Sequence, residues 1–189
     1  MSTELFGRAS DYARGVLSEL GDDDLRRPTP CAEWDAGTVV VHLADVIDAL
    51  TGLLETGVLA MPQPPRTSAP DPVALVEQRW AELAHAFSVA AEATWVESAA
   101  TAGTVELTTH AWDVGAARDP DHRIPAELAD DVLTLVSAAL DDDTRGESFA
   151  APVDVPGRAG PSDRLVAFLG RVPTAGRCPR QESNLRPFA

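Results

Sequence analysis

Thr104-Val105-Glu106-Leu107-Thr108-Thr109-His110-Ala111-Trp112-Asp113 decides how the rest of the chain is read, because it holds a pair of residues whose spacing implies chemistry. As a helix it sets Glu106 and His110 four positions apart on one face, with Cβ atoms roughly 5–6 Å from each other, near enough to share a metal ion. As a strand, which its Thr and Val content allows, the same pair shares a face but stands about 13 Å apart and cannot chelate together. The surrounding chain favours helices, and the stretch is taken as part of a fourth helix extending to about Ala117.

Upstream, Ala93 to Gly103 fits no clear pattern, with Trp95 expected as core filler. Before it, Asp71-Pro72 is an N-cap and first-turn pair for a third helix running to about Glu92. Its apolar stripe is Val73, Val76, Trp80, Leu83 and Phe87, which leaves His85 nearly opposite and in solvent. Residues 60–72 are too rich in proline for regular structure and read as a surface linker. A second helix is expected from Ala36 to about Glu55, with Asp35 as its cap and Gly57 ending it. Val39, Leu43, Val46, Leu50 and Leu53 share an arc of that helix; His42 falls inside the arc, and Asp45 and Asp48 outside it. An inward His is read either as a hydrogen-bonded structural residue or as a ligand. The first helix, Thr3 to Leu20, is amphipathic, and Asp22 to Asp24 and Pro28 to Cys31 make a solvated loop and an extended turn.

Downstream, Asp119-Pro120-Asp121-His122 is a loop and a poor place for a preorganised ligand. Leu128, Val132, Leu135, Val136 and Ala139 mark a fifth helix fading into Asp141 to Asp143. Residues 152–156 are extended, and Asp163 to Leu169 form a short last helix with Ser162 as its candidate cap. Residues 174–189 lack apolar periodicity and are basic where the body is acidic, so they read as a disordered tail in which Cys178 has no role. Residues 1–173 are expected to be one all-α domain of five or six helices.

At 189 residues the chain is long enough for a real core without disulfides, and Cys31 and Cys178 define no framework. A net charge of −15 and a pI near 4.5 argue against nucleic acid or anionic membranes as partners. The N-terminus has no leader pattern and no apolar run approaches a membrane span, so a cytoplasmic protein is expected. All fifteen basic residues are Arg, a coding bias without functional message.

Bundles build metal sites from side chains on facing helices. A buried Glu106–His110 pair is costly unless each member finds a partner, and a divalent ion with a third ligand satisfies both; His42 is the inward His available. Three protein ligands and an open fourth position make a catalytic zinc pattern.

The ordered segments Thr29-Pro30-Cys31-Ala32-Glu33-Trp34-Asp35, Val39-Val40-Val41-His42-Leu43, Glu106 to Val114, Phe149 to Val153 and Asp163 to Arg171 resemble a known family. It comprises actinobacterial metal-binding proteins related to the N-terminal domain of mycothiol-dependent maleylpyruvate isomerase, within the DinB/YfiT-like superfamily. The resemblance covers roughly residues 3–173 and implies a DinB-type four-helix bundle core with one or two further short helices. It also implies a divalent metal, usually zinc, on His42, Glu106 and His110, with water or a low-molecular-weight thiol in the open position. Two departures stand out: Ala93 to Gly103 looks shorter than the family's usual connection, which would disturb the pocket wall or shift the following helix, and no second domain like the isomerase's is expected.

The expected function is that of a metal- and thiol-dependent transferase or isomerase acting through a mycothiol-like cofactor on an unassigned electrophile. Asp113 is expected either as acceptor for a ligand's free ring N–H or as an ordinary helix-surface residue. Trp34 and Trp112 are expected to pack, and Cys31 to be a small buried residue or a fourth ligand. The alternatives are a non-enzymatic bundle stapled by the ion and serving as a regulatory or binding module, and a metal-free bundle with His42 hydrogen-bonded to Glu106. Homodimers are common for such bundles.

Overall fold

The computed structural model describes residues 2–31, 34–62, 66–90, 94–140, 145 and 149–173. The tail at 174–189, with Cys178, and the acidic run at Asp141 to Asp143 lie outside the described residues. Six α-helices follow in order: α1 (Ser2–Ser18), α2 (Ala36–Thr56), α3 (Pro72–Val89), α4 (Val96–Arg118), α5 (Ala126–Ala139) and α6 (Pro161–Phe168), with one 3-10 turn at Asp24–Arg26. Among the described residues there is no strand, and one isolated bridge joins Pro28 to Asp35. The all-α, DinB-like bundle expected from sequence is the fold.

Local signals place the helix ends. Asp35 accepts from the Thr38 amide at 2.8 Å, Asp71 accepts from the Ala74 amide at 2.9 Å with Pro72 following, and Gly57 ends α2 in the left-handed region at φ 75°. These caps satisfy amide groups that helix termini leave unpaired.

Helices α1 to α4 form the four-helix core. α4 packs on α1 and α2, and α2 packs on α3. The square is closed between α1 and α3 by Phe6 on Phe87, ring centres 5.0 Å apart, and by Arg14 on Glu77 at 2.8 Å. Val39, Val40, Leu43, Ile47 and Leu50 of α2 meet Leu17, Leu83 and Leu107 in the main core. α5 and α6 close a second, smaller core around the fully buried Trp112, with Leu128, Val132, Leu165 and Leu169. Gly103 lies inside α4: a Cβ there would stand 2.6 Å from Phe6 and 2.9 Å from Leu50, so a side chain as small as Ala already obstructs this crossing.

Four expectations need correction. α2 is by length and composition apolar enough to cross a membrane, although His42, Asp45 and Asp48 break its apolar run; 67% of the apolar window is buried in the bundle, as in a core helix. Asp45 is fully buried, because Arg66 of the proline-rich linker reaches back to it with its guanidinium and with its backbone N–H at 2.8 Å; Arg66 also pairs with Asp48 at 2.8 Å. Trp95 is 43% exposed and leans against Gly57 instead of filling the core. Ser162 is not a cap: α6 starts at Pro161, and the buried Ser162 hydroxyl accepts the Ile124 amide at 3.1 Å.

Candidate metal centre

Helical spacing puts Glu106 and His110 on one face of α4, and the facing side of α2 brings His42 to them. One donor atom from each of the three lies within 4.8 Å of the others. His110 Nε2 is 3.3 Å from Glu106 Oε2, and the imidazoles of His42 and His110 meet edge to face with centres 4.9 Å apart. Val96 to Gly103, expected as part of a short connection, are instead the first two turns of α4, and the pair faces His42. Donors around a tetrahedral ion with bonds of 2.0–2.1 Å are roughly 3.3–3.5 Å apart, so two imidazoles and a carboxylate gathered this closely fit a small divalent cation.

The surroundings hold each side chain in place. His110 is buried, and its Nδ1–H donates to Asp113 at 3.1 Å, so Asp113 is the acceptor behind the ligand and not a surface residue; it is fully buried. Arg171 holds Asp113 in turn, with Nε on Oδ1 at 3.2 Å and Nη2 on Oδ2 at 3.0 Å. Sequence reasoning gave Arg171 no role. Its placement is local in origin: Gly170 ends the last helix at φ 81°, and the Arg171 amide donates to the Val166 carbonyl at 2.9 Å, a Schellman closure that turns the next side chain back across the bundle.

Thr29 to Cys31 and Trp34 form the other wall. The Thr29 amide donates to the Trp34 carbonyl at 3.1 Å, and the Thr29 hydroxyl accepts the Cys31 amide at 3.1 Å, so this residue clasps the turn. The clasp lays Trp34 on His42, ring centres 4.9 Å apart, and puts Cys31 within 4.8 Å of donor atoms of His110 and Asp113. Cys31 is a free thiol. Trp34 thus packs as expected, on a candidate ligand, and Trp112 packs in the second core. His85 is exposed as expected, away from the centre.

Without an ion the group shares a proton. Burial opposes a charge on His110, but hydrogen bonds from Asp113 and Glu106 raise its pKa to about 9. Burial likewise opposes ionisation of Glu106, yet the hydrogen bond and charge of His110 hold its carboxyl below the usual range. Burial, and then the charge on His110, push His42 down. Cys31 is pushed up by burial and by the charge of Asp113. The Nε2 proton of His110 therefore points at Glu106, where a cation bound to both would take its place.

The centre opens into a cavity of about 480 Å³ between α2 and α4. That is a size suited to a small molecule.

Comparison with known proteins agrees with the geometry. Two uncharacterised proteins of Mycobacterium tuberculosis, from strains CDC 1551 and H37Rv, are each 30% identical over 178 residues, covering 87% of this chain and 94% of theirs. No solved structure matches. The family described as mycothiol maleylpyruvate isomerase N-terminal domain matches over residues 6–115, the span that contains most of α1, all of α2 and α3, nearly all of α4, and the three donors. The chain belongs to that family, one of metal-binding DinB-like domains in a mycothiol context.

Proposed function

We propose that His42, Glu106 and His110 bind a divalent cation, zinc by the nature of the donor set, and that the protein uses it as a thiol-dependent transferase or isomerase on a small electrophilic molecule. The observation that carries this reading is the convergence of two imidazoles and a carboxylate from two helices on a point at the wall of a cavity. Two neutral imidazoles, one carboxylate and the ion sum to one positive charge, which a single thiolate neutralises. When bound, the ion supplies a site where a thiol of the mycothiol type stays deprotonated at neutral pH.

The chain's own residues do the rest. Asp113 keeps the proton of His110 on Nδ1 and so presents Nε2 as a lone pair. Arg171 fixes Asp113, and Trp34 and the buried face of α4 exclude water on the inner side.

A second reading is favoured by Cys31. Its sulfur, near His110 and Asp113, would close the fourth corner and make the ion a structural staple. Metal analysis of purified wild type beside His42→Ala, His110→Ala and Cys31→Ser tests both. One ion in the wild type, none in the two histidine variants, and an undiminished ion in Cys31→Ser is the outcome expected here. Loss of the ion in Cys31→Ser would favour the staple, and equal metal in all four proteins would remove the centre altogether.

A further inference from the structure

The walls of the cavity divide into two ends. At one end stand the three donors with Cys31 and Arg171, and Phe149 lies beside Glu106; along α2 and the segment after it the wall continues as Val46, Ala49, Leu50, Leu59 and Met61. The division follows from helix periodicity. Val46, Ala49 and Leu50 lie four, seven and eight residues beyond His42, so they continue its face of α2, while Ala102 precedes Glu106 by one turn on α4. The contact of Leu50 with Gly103 shows the two stripes facing each other, and Ala49 and Ala102, one per helix, leave the room between them. Val58, Leu59 and Met61 are exposed together in the segment that follows α2, and the last two line this end of the cavity.

The charges make a second, independent argument. Among the described residues Arg171 is the one arginine on the wall. Its guanidinium is committed, to both oxygens of Asp113 and, through Nη1, to the Leu169 carbonyl at 3.1 Å. Thr109 donates its hydroxyl to the Val105 carbonyl at 2.7 Å. An ion on the three donors leaves one positive charge, and a thiolate removes it. A carboxylate held between α2 and α4, inward of the exposed Leu59 and Met61, would then meet no counter-charge, and there an unpaired ionised group is strongly disfavoured.

We propose that the electrophile taken by this protein is an uncharged molecule with an apolar body, which lies along the stripe from Val46 to Met61 with its reactive atom toward the donors. Leu50, Leu59 and Met61 are then specificity-determining residues. This rests on the metal-and-thiol reading above.

The test uses the full-length protein loaded with cobalt, whose sulfur-to-metal absorption reports a bound thiolate, and two series of probes: straight-chain alkanethiols of two to eight carbons and the ω-mercaptocarboxylates of equal length. From His42 to Leu50 the wall extends roughly 12 Å, the rise of eight helical residues. Alkanethiols should bind roughly threefold to fourfold tighter per added methylene until that length is reached. The carboxylates should bind at least tenfold more weakly than their neutral counterparts. Met61→Glu, at a site 37% exposed where folding tolerates a charge, should flatten the alkanethiol series at unchanged metal content. A flat series in the wild type, or carboxylates that match the neutral thiols, overturns this inference and leaves the metal centre standing. Failure to take up cobalt or zinc overturns both.

Discussion

Two histidines, one within α4 and one packed against it, show how a neighbourhood decides what a side chain does. His110 faces Glu106 and Asp113, and its pKa is raised to about 9. His122, from the loop after the same helix, lies on Gly115, and its Nε2 accepts from the Tyr12 hydroxyl at 2.7 Å. Burial lowers its pKa, and burial also keeps the Tyr12 hydroxyl protonated. One histidine is prepared to exchange a proton for a cation; the other is a neutral wedge between α1 and α4. His110 is buried and His122 half-buried, and the carboxylates around one and the phenol beside the other distinguish them.

The largest effect should come from removing the carboxylate behind His110. Asp113→Ala strands Arg171 and takes the acceptor from Nδ1, and breaking a buried pair in this way costs about 3–5 kcal/mol. Urea unfolding of the metal-free protein should show that loss, and metal affinity should fall about 10–100-fold. Arg171→Met, which leaves Asp113 in contact with His110, should lower metal affinity less than Asp113→Ala. Replacing His122 should leave metal affinity unchanged, and a parallel fall there would erase the distinction between the two sites.

Proton linkage sharpens the contrast. In the metal-free protein His110 has a folded pKa above its unfolded value, so its contribution, on the order of 3 kcal/mol, is fully present below pH 6.5 and is lost as pH rises through about 9. Saturating zinc should abolish that slope, because the ion replaces the proton. Thermal unfolding followed from pH 6 to 10 with and without zinc checks this, and a metal-free protein equally stable at both ends of the range would count against the shared proton.

How much of this was written in the sequence depends on the distance over which each feature is encoded. The caps Asp35, Asp71 and Gly57 were legible because their partners are within three or four residues. The faces of His42, Glu106 and His110 follow from helical period, whereas spacing left their joint role as ligands open and the family resemblance implied it. Asp45 was misplaced because its partner Arg66 sits 21 residues away in a segment without periodicity. The stretch up to Gly103 shows no clear pattern in sequence because the reason for that glycine, the approach of Phe6 and Leu50, is tertiary. Arg171 had a faint signal in the preceding Gly170, which marks a Schellman end, but nothing local names Asp113, 58 residues earlier, as its target. Trp95 was taken for core because aromatic rings usually are; its position beside the left-handed Gly57 makes it a partly exposed cover for the end of α2.

The wedge is broken from the other side by Gly115. A Cβ there would stand 2.3 Å from the His122 ring, so Gly115→Ala must expel the imidazole or bend α4. Overpacking of this kind costs about 1–3 kcal/mol, less than the loss of Asp113, and should leave the metal content at one ion.

The smallest effect should belong to His122→Phe. The ring volume is nearly kept, so the packing on Gly115 survives, and what is lost is the acceptor for the buried Tyr12 hydroxyl, about 1–3 kcal/mol for an unsatisfied group. Its pH signature is opposite in sign to that of His110. Because the folded pKa of His122 is depressed, the unfolded chain binds the extra proton first, and its contribution is full above pH 6.5 and declines as pH falls below that value. His122→Phe should therefore flatten the acid side of the stability profile while the alkaline slope set by His110 stays as it was. Tyr12→Phe should reproduce the loss of the hydrogen bond with the acid slope retained, since the imidazole remains buried. If removing His122 instead altered the alkaline slope, the two histidines would be coupled through α4, and the separation between the cation centre at His110 and the neutral wedge on Gly115, five residues further along the helix, would not hold.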